Sequence, residues 1–195
     1  MNRQISFQQY RSIDLTILAV LLAVSQFVIF LASTVLYPEQ LYVVSPVAAM
    51  VAIVMMRWNG YAALHAALGG VLFTALAGGS WQQFVIYGVG NLVSLGALLL
   101  LKAFGKERVR QDSFLSLTFA FCVQLLMWLG RAGLAFALGF EPAACLGFIT
   151  TDVLSALFTL VIIWVVRRVE GLFEDQKIYL LRLESERQVE GREKF

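Results

Sequence analysis

The sequence predicts an all-α, polytopic membrane protein with six transmembrane helices, both termini cytoplasmic, and a short C-terminal cytoplasmic helix. Three observations predict it. The chain is 59% hydrophobic and only 14% charged, where a soluble domain of this length carries roughly a quarter charged residues. Its apolar residues gather in six stretches, each about long enough to cross a bilayer. Fourteen of its fifteen lysines and arginines lie at alternate ends of those stretches. The exception, Arg131, falls inside one of them.

The stretches run over roughly 13–36, 40–56, 60–78, 83–104, 113–138 and 143–166. They fill residues 1–168 as one transmembrane domain and leave no room for a separate catalytic domain. The first follows basic residues. It is long for a signal peptide and is followed by five more, so a retained helix is expected. Tyr37-Pro38-Glu39-Gln40 separates the first from the second, and Arg57-Trp58-Asn59-Gly60 the second from the third. Gly78-Gly79-Ser80-Trp81-Gln82-Gln83 and Gly139-Phe140-Glu141-Pro142 have the composition of turns.

Orientation follows from charge. Arg3 and Arg11 precede the first stretch, and Arg57 sits in the second connection. Lys102, Lys106, Arg108 and Arg110 sit in the fourth, and seven more basic residues follow the sixth stretch, from Arg167 to Lys194. The first, third and fifth connections hold none. Basic residues mark the cytoplasmic side, so both termini are expected there. Tyr37, Tyr42, Trp58, Trp81 and Trp164 lie near the ends of stretches, as interfacial anchors do.

Small residues recur at four-residue spacing: Ala62, Ala66 and Gly70 in the third stretch, Ala19 and Ala23 in the first. Such faces let helix backbones approach closely. Packing within the bundle is expected for the third stretch. For the first, docking onto another membrane protein competes with internal packing. His65 and Gln26 are expected to make hydrogen bonds between helices. The tail, residues 169–195, is charged. Glu174 with Lys177, and Arg182 with Glu186, stand at the spacing of a solvated helix. Two roles remain open for it: lying along the inner membrane surface, or serving as a handle for a partner.

Polar residues inside the apolar stretches carry the chemistry. By helical rise, Arg131 and Asp152 both lie roughly 10–14 Å below the outer surface, on adjacent helices of one hairpin. Each charge would be costly alone in hydrocarbon, so an ion pair is expected. Gln124, Trp128 and Arg131 share one helical face, as do Gln83, Tyr87, Asn91 and Ser94, and as do Asp152, Ser155 and Thr159. Asn91 reaches the same depth. Convergent polar groups in an apolar setting suit a small-molecule site. Gln124, Trp128, Arg131, Asp152, Tyr87 and Asn91 are the candidate substrate-binding residues. A purely structural ion pair is the alternative.

Several chemistries lack their motifs. There is no H-E-x-x-H, no G-x-S-x-G and no P-loop. No carboxylate cluster suggests a divalent metal, and Cys122 and Cys145 fall at different depths. Catalytic residues, metals and cofactors are therefore not expected, nor is a nucleic-acid partner.

The layout resembles the S component of an energy-coupling factor (ECF) transporter, the substrate-binding membrane subunit of bacterial vitamin importers. Six stretches in under 200 residues with both ends inside carry the resemblance. So do Ala19-Val20-Leu21-Leu22-Ala23 and the Gly- and Ala-rich run 60–79 followed by Trp81-Gln82-Gln83. The resemblance spans residues 10–168; the charged tail is longer than is usual in that family. It implies a protein of the bacterial cell membrane that captures a vitamin-like small molecule at the outer face. It also implies docking, through Ala19 and Ala23, to a transmembrane coupling subunit driven by two ATPase subunits. Two other readings stand beside it. One is a non-transporting membrane scaffold of the cell-shape or division type, acting through its tail. The other is a membrane sensor module.

Overall fold

The innermost helix is the one with the least polar surface. In the computed structural model, which describes residues 6–36 and 44–193, α2 (Val47–Trp58) has all twelve residues buried. A helix apolar on every side belongs at the centre of a bundle. Around it stand α1 (Phe7–Leu36), α3 (Ala62–Leu76), α7 (Ser113–Ala137) and α9 (Val153–Val166). Helix α4 (Trp81–Gly90) packs between α3 and α7. The remaining helices are α5 (Leu98–Phe104), α6 (Lys106–Gln111), α8 (Pro142–Thr150) and α10 (Gln176–Glu193). The described residues contain helices and no strands.

Five helical stretches are long and apolar enough to cross a membrane: Phe7–Leu36, Val47–Leu76, Trp81–Phe104, Ser113–Ala137 and Pro142–Val166. They differ in burial. Within an 18-residue apolar window of each, only 17% of the first is buried, against 72% of the second. On α1, Leu18, Leu22 and Gln26 form the inward stripe at four-residue spacing, while Ile17, Val20, Val24, Phe27 and Leu31 face outward. An apolar outer surface of this kind suits lipid, since water would leave it unpaired with any apolar partner.

The 47–76 stretch joins two predicted spans and reverses at Asn59, whose φ of 55° is a backbone state few residues adopt. The reversal brings Val47 against Gly69: a Cβ at Gly69 would lie 2.6 Å from a Val47 methyl. The turn falls where Arg57-Trp58-Asn59-Gly60 predicts it. The second helix begins later than position 40, however. Residues 44–46 are not helical; Pro46 supplies no N–H, and the Ser45 N–H bonds instead to Ser155 Oγ at 2.9 Å. The first predicted connection, with Tyr37 and Tyr42, lies outside the described residues.

Two more predicted spans are broken. Residues 91–97 in the fourth adopt a 3₁₀ helix, longer than the three or four residues usual for that form. Glycine contacts explain its position. A Cβ at Gly130 would lie 2.1 Å from the Gly90 carbonyl oxygen, and one at Gly90 would lie 2.9 Å from the Arg131 nitrogen. The backbones of the fourth span and α7 therefore touch there. The sixth span breaks at Thr151–Asp152, where Asp152 has φ −102° and ψ 12°. The small-residue stripe of α3 packs inward as expected: Ala62, Ala66 and Gly70 are buried, and a Cβ at Gly70 would meet the Tyr87 backbone at 2.2 Å.

The basic residues meet at one end of the bundle, where the tail begins. Arg57 donates from Nε and Nη2 to Asp14 at 2.9 and 2.6 Å, a forked pair, and the Trp58 indole donates to the same carboxylate at 2.5 Å. Arg57 Nη1 donates to the Gly171 carbonyl. Trp58 is thus buried and hydrogen-bonded and does not serve as an exposed interfacial anchor. Trp81 and Trp164 are exposed, and Arg168 stacks 3.8 Å from the Trp164 ring.

The tail is not a uniformly solvated helix. Residues 171–176 fold into the end of the bundle, with Phe173, Glu174 and Gln176 buried. Glu174 pairs with Arg182 at 2.9 Å and Arg110 at 3.1 Å, in place of the expected Lys177. Gln176 accepts from the Tyr10 hydroxyl at 2.9 Å and donates to the Gly171 carbonyl at 2.8 Å. Asp175 pairs with Lys106 at 2.6 Å. Burial lowers the Lys106 pKa from its ordinary value, and the Asp175 carboxylate offsets that only in part. Helix α10 starts only at Gln176.

Candidate functional site

Polar residues of the fourth span, α7 and the start of α9 meet around the Arg131–Asp152 pair. Asp152 is 4% exposed and Arg131 5%. Asp152 Oδ2 accepts from Arg131 Nη1 at 2.8 Å, Trp128 Nε1 at 2.9 Å and Gln124 Nε2 at 3.0 Å. The three donors come from one face of α7, spaced 124, 128, 131. Helical geometry therefore aims them together, and the break at Thr151–Asp152 turns the acceptor toward them.

Asn91 joins from the other side. Its Oδ1 accepts from Arg131 Nε at 2.8 Å, and its Nδ2 donates to the Ala66 carbonyl at 3.0 Å. The Gly90–Gly130 contact sets this distance by letting the two backbones meet. Tyr87 contributes its ring: the Arg131 guanidinium lies 4.8 Å from the ring centroid. The ring in turn contacts Phe73 at 4.9 Å and Phe148 at 5.7 Å. Thus all six candidate substrate-binding residues occupy one cluster.

The other predicted stripe members divide. Ser155 and Thr159 are buried; Thr159 donates to Gln124 Oε1 at 3.5 Å. Ser94 is buried and donates to the Asn91 carbonyl at 2.6 Å. Gln83 does not join. It is exposed and closes a capping box with Ser80 at the start of α4. His65 binds the Leu15 carbonyl of α1 at 3.1 Å, the expected contact between helices.

A polar path leads from the cluster toward α1. Ser155 Oγ accepts from Ser45 N, and Ser45 Oγ donates to Gln26 Oε1 at 3.2 Å. Ser45 is absent from the predicted site. A Ser-Pro pair ahead of an apolar run is a helix-start signal and could have marked it. Phe148 and Thr151 were also missed; both stand just before Asp152 and line the cavity described next.

Between these groups lies a cavity of about 10 Å³, lined among others by Ser45, Phe73, Tyr87, Asn91, Arg131 and Asp152. That is about the space one water needs. Asp152 Oδ1, the second oxygen of the carboxylate, is buried and has no hydrogen-bond partner among the described residues. A separate surface groove of about 370 Å³ runs between α1 and α3, lined by Ala19, Ala23, Leu64, His65 and Leu68. Among the described residues no group of three or more His, Cys, Asp or Glu side chains is placed to hold a metal ion.

No family model, curated protein or solved structure matches the chain.

Proposed function

We propose that the protein is the substrate-binding membrane subunit of an ECF-type importer, with six spans and both termini cytoplasmic. It takes a vitamin-like small molecule from the outer face and passes it inward when docked to an ATP-driven coupling module. The observation that carries this reading is the Arg131–Asp152 cluster. Polar groups from residues 91–97, α7 and the α8–α9 break meet inside the bundle, beside aromatic rings and a cavity. Ionisable residues at such depth commonly mark substrate pathways.

Counting the 47–76 hairpin as two passes supports a total of six. The gathering of Arg57, Lys106, Arg110 and Arg182 at one end supports the orientation. The groove holding Ala19 and Ala23 supports the docking face: it is largely apolar, and the two alanines leave room for a helix of the coupling subunit to approach α1.

A scaffold acting through its tail is the second reading. The observation favouring it is the anchored root of α10, which holds that helix against the bundle. Two measurements on one preparation separate the readings. Protein purified from cells in rich medium is expected to release a small molecule detectable by mass spectrometry. A chain truncated after Leu183, which keeps the buried root, is expected to retain that molecule. Absence of any retained molecule, together with loss of function on truncation, contradicts the importer reading.

A further inference from the structure

The cavity at Asp152 has its own hydrogen-bonding preference. All three donors to Asp152 described above go to Oδ2, and Oδ1 is buried with no partner among the described residues. A buried carboxylate oxygen without a donor is costly, and Asp152 lines the cavity. The missing group is therefore an N–H or O–H donor. Arg131 also lines the cavity. Asn91 and Asp152 take two of the five N–H donors a guanidinium carries, and the Tyr87 ring lies against its face. The cavity thus places an acceptor beside a donor.

Charge narrows the class. Arg131 and Asp152 neutralise each other, and among the described residues no other charged side chain lines the cavity. A cationic or anionic ligand would bring an uncompensated charge to membrane depth, which is expensive. A neutral ligand completes both groups without that cost. Phe73, Tyr87 and Phe148 provide the wall, and rings stack on rings.

We infer that the site recognises a neutral, flat heterocycle through a ring N–H adjacent to a carbonyl, the lactam edge found in nucleobases and related rings. The N–H meets Asp152 Oδ1, the carbonyl meets Arg131, and the ring lies against Tyr87. This rests on the ligand-site reading above. A cavity of about 10 Å³ does not hold a ring, so α8 must shift. Cys145 is its only buried residue, and Phe148 is the side chain it places against Tyr87. That movement has to open the contacts α8 makes with α7 and the packing of Phe148 on Tyr87.

The test uses three probes on the dialysed full-length protein in detergent, followed by saturation-transfer NMR. 2-Pyridone has the lactam edge, N-methyl-2-pyridone lacks its N–H, and N-methylpyridinium is a cation of the same size. 2-Pyridone is expected to bind about tenfold or more tightly than its N-methyl derivative, the loss expected for one hydrogen bond to a buried carboxylate. Asp152→Asn, which turns an amide N–H into the cavity, is expected to remove that preference. If that variant does not fold, the comparison of probes on the unaltered protein decides alone. Strongest binding by N-methylpyridinium overturns the lactam assignment and leaves a ligand site standing. Equal binding of the two pyridones also overturns it. No binding by any probe overturns it too; if in addition the purified protein retains no small molecule, the ligand-site reading falls with it.

Discussion

Asp152→Ala is expected to destabilise the protein by about 3–5 kcal/mol, the usual consequence of leaving a buried charge without its partner. Arg131 would lose its carboxylate, and the Trp128 and Gln124 N–H groups would lose their acceptor. The midpoint of unfolding in detergent measures this. The double variant Arg131→Met, Asp152→Leu removes both charges and fills similar volume. It is expected to recover most of the stability, because apolar replacement of a whole buried pair is often neutral or favourable. Ligand retention is expected to stay lost. The combination separates the two roles of the pair: stability returns while binding does not. A double variant as unstable as the single one would show that the surrounding hydrogen bonds, and not the unpaired charge, set the cost.

Asp14→Ala is the second large effect expected, again about 3–5 kcal/mol. Here the consequence is local as well. Asp14 holds Arg57 in a forked pair, and Arg57 holds the Gly171 carbonyl at the root of the tail. Without Asp14 the guanidinium keeps only its bonds to the Gly171 and Leu172 carbonyls, and the root is held less firmly. Limited trypsin digestion is expected to cut at Lys177 and Arg182 faster than in the unaltered protein. Arg57→Lys is expected to behave similarly, since an ammonium cannot reproduce the fork. Unchanged digestion in Asp14→Ala would show that Phe173, Glu174 and Gln176 anchor the tail without help from Arg57.

The two clusters differ in how far the sequence reveals them. Around Asp152 the signals are local. Gln124, Trp128 and Arg131 share a face by helical spacing alone, and depth pairs Arg131 with Asp152. Ala62, Ala66 and Gly70 likewise show their close packing in their spacing. Around Asp14 the signals are long-range. Arg57 reads as one more basic residue in a connection, and Asp14 as an ordinary polar residue at the start of a span. Nothing in either neighbourhood announces that Gly171, far along the chain, closes the arrangement. The charges of the tail mislead in the same way, because Glu174 and Lys177 have helical spacing while the backbone at Gly171, with φ 77°, turns inward.

The broken spans were hidden for another reason. The 3₁₀ stretch after Gly90 depends on contact with Gly130 of α7, and glycine content alone does not say which two glycines meet. The break at Asp152 depends on the donors that hold its carboxylate. Both departures lie in the Asp152 cluster: one brings Asn91 to Arg131, and the other turns Asp152 toward α7.

The most direct test of the account is an experimental density map of the protein purified from cells grown in rich medium, read at the space between Tyr87, Arg131 and Asp152. Density larger than a water molecule is predicted, within hydrogen-bonding distance of Asp152 Oδ1 and stacked on Tyr87, with Phe148 moved outward. A cavity holding a single water against Oδ1, with Phe148 still packed on Tyr87, would contradict it.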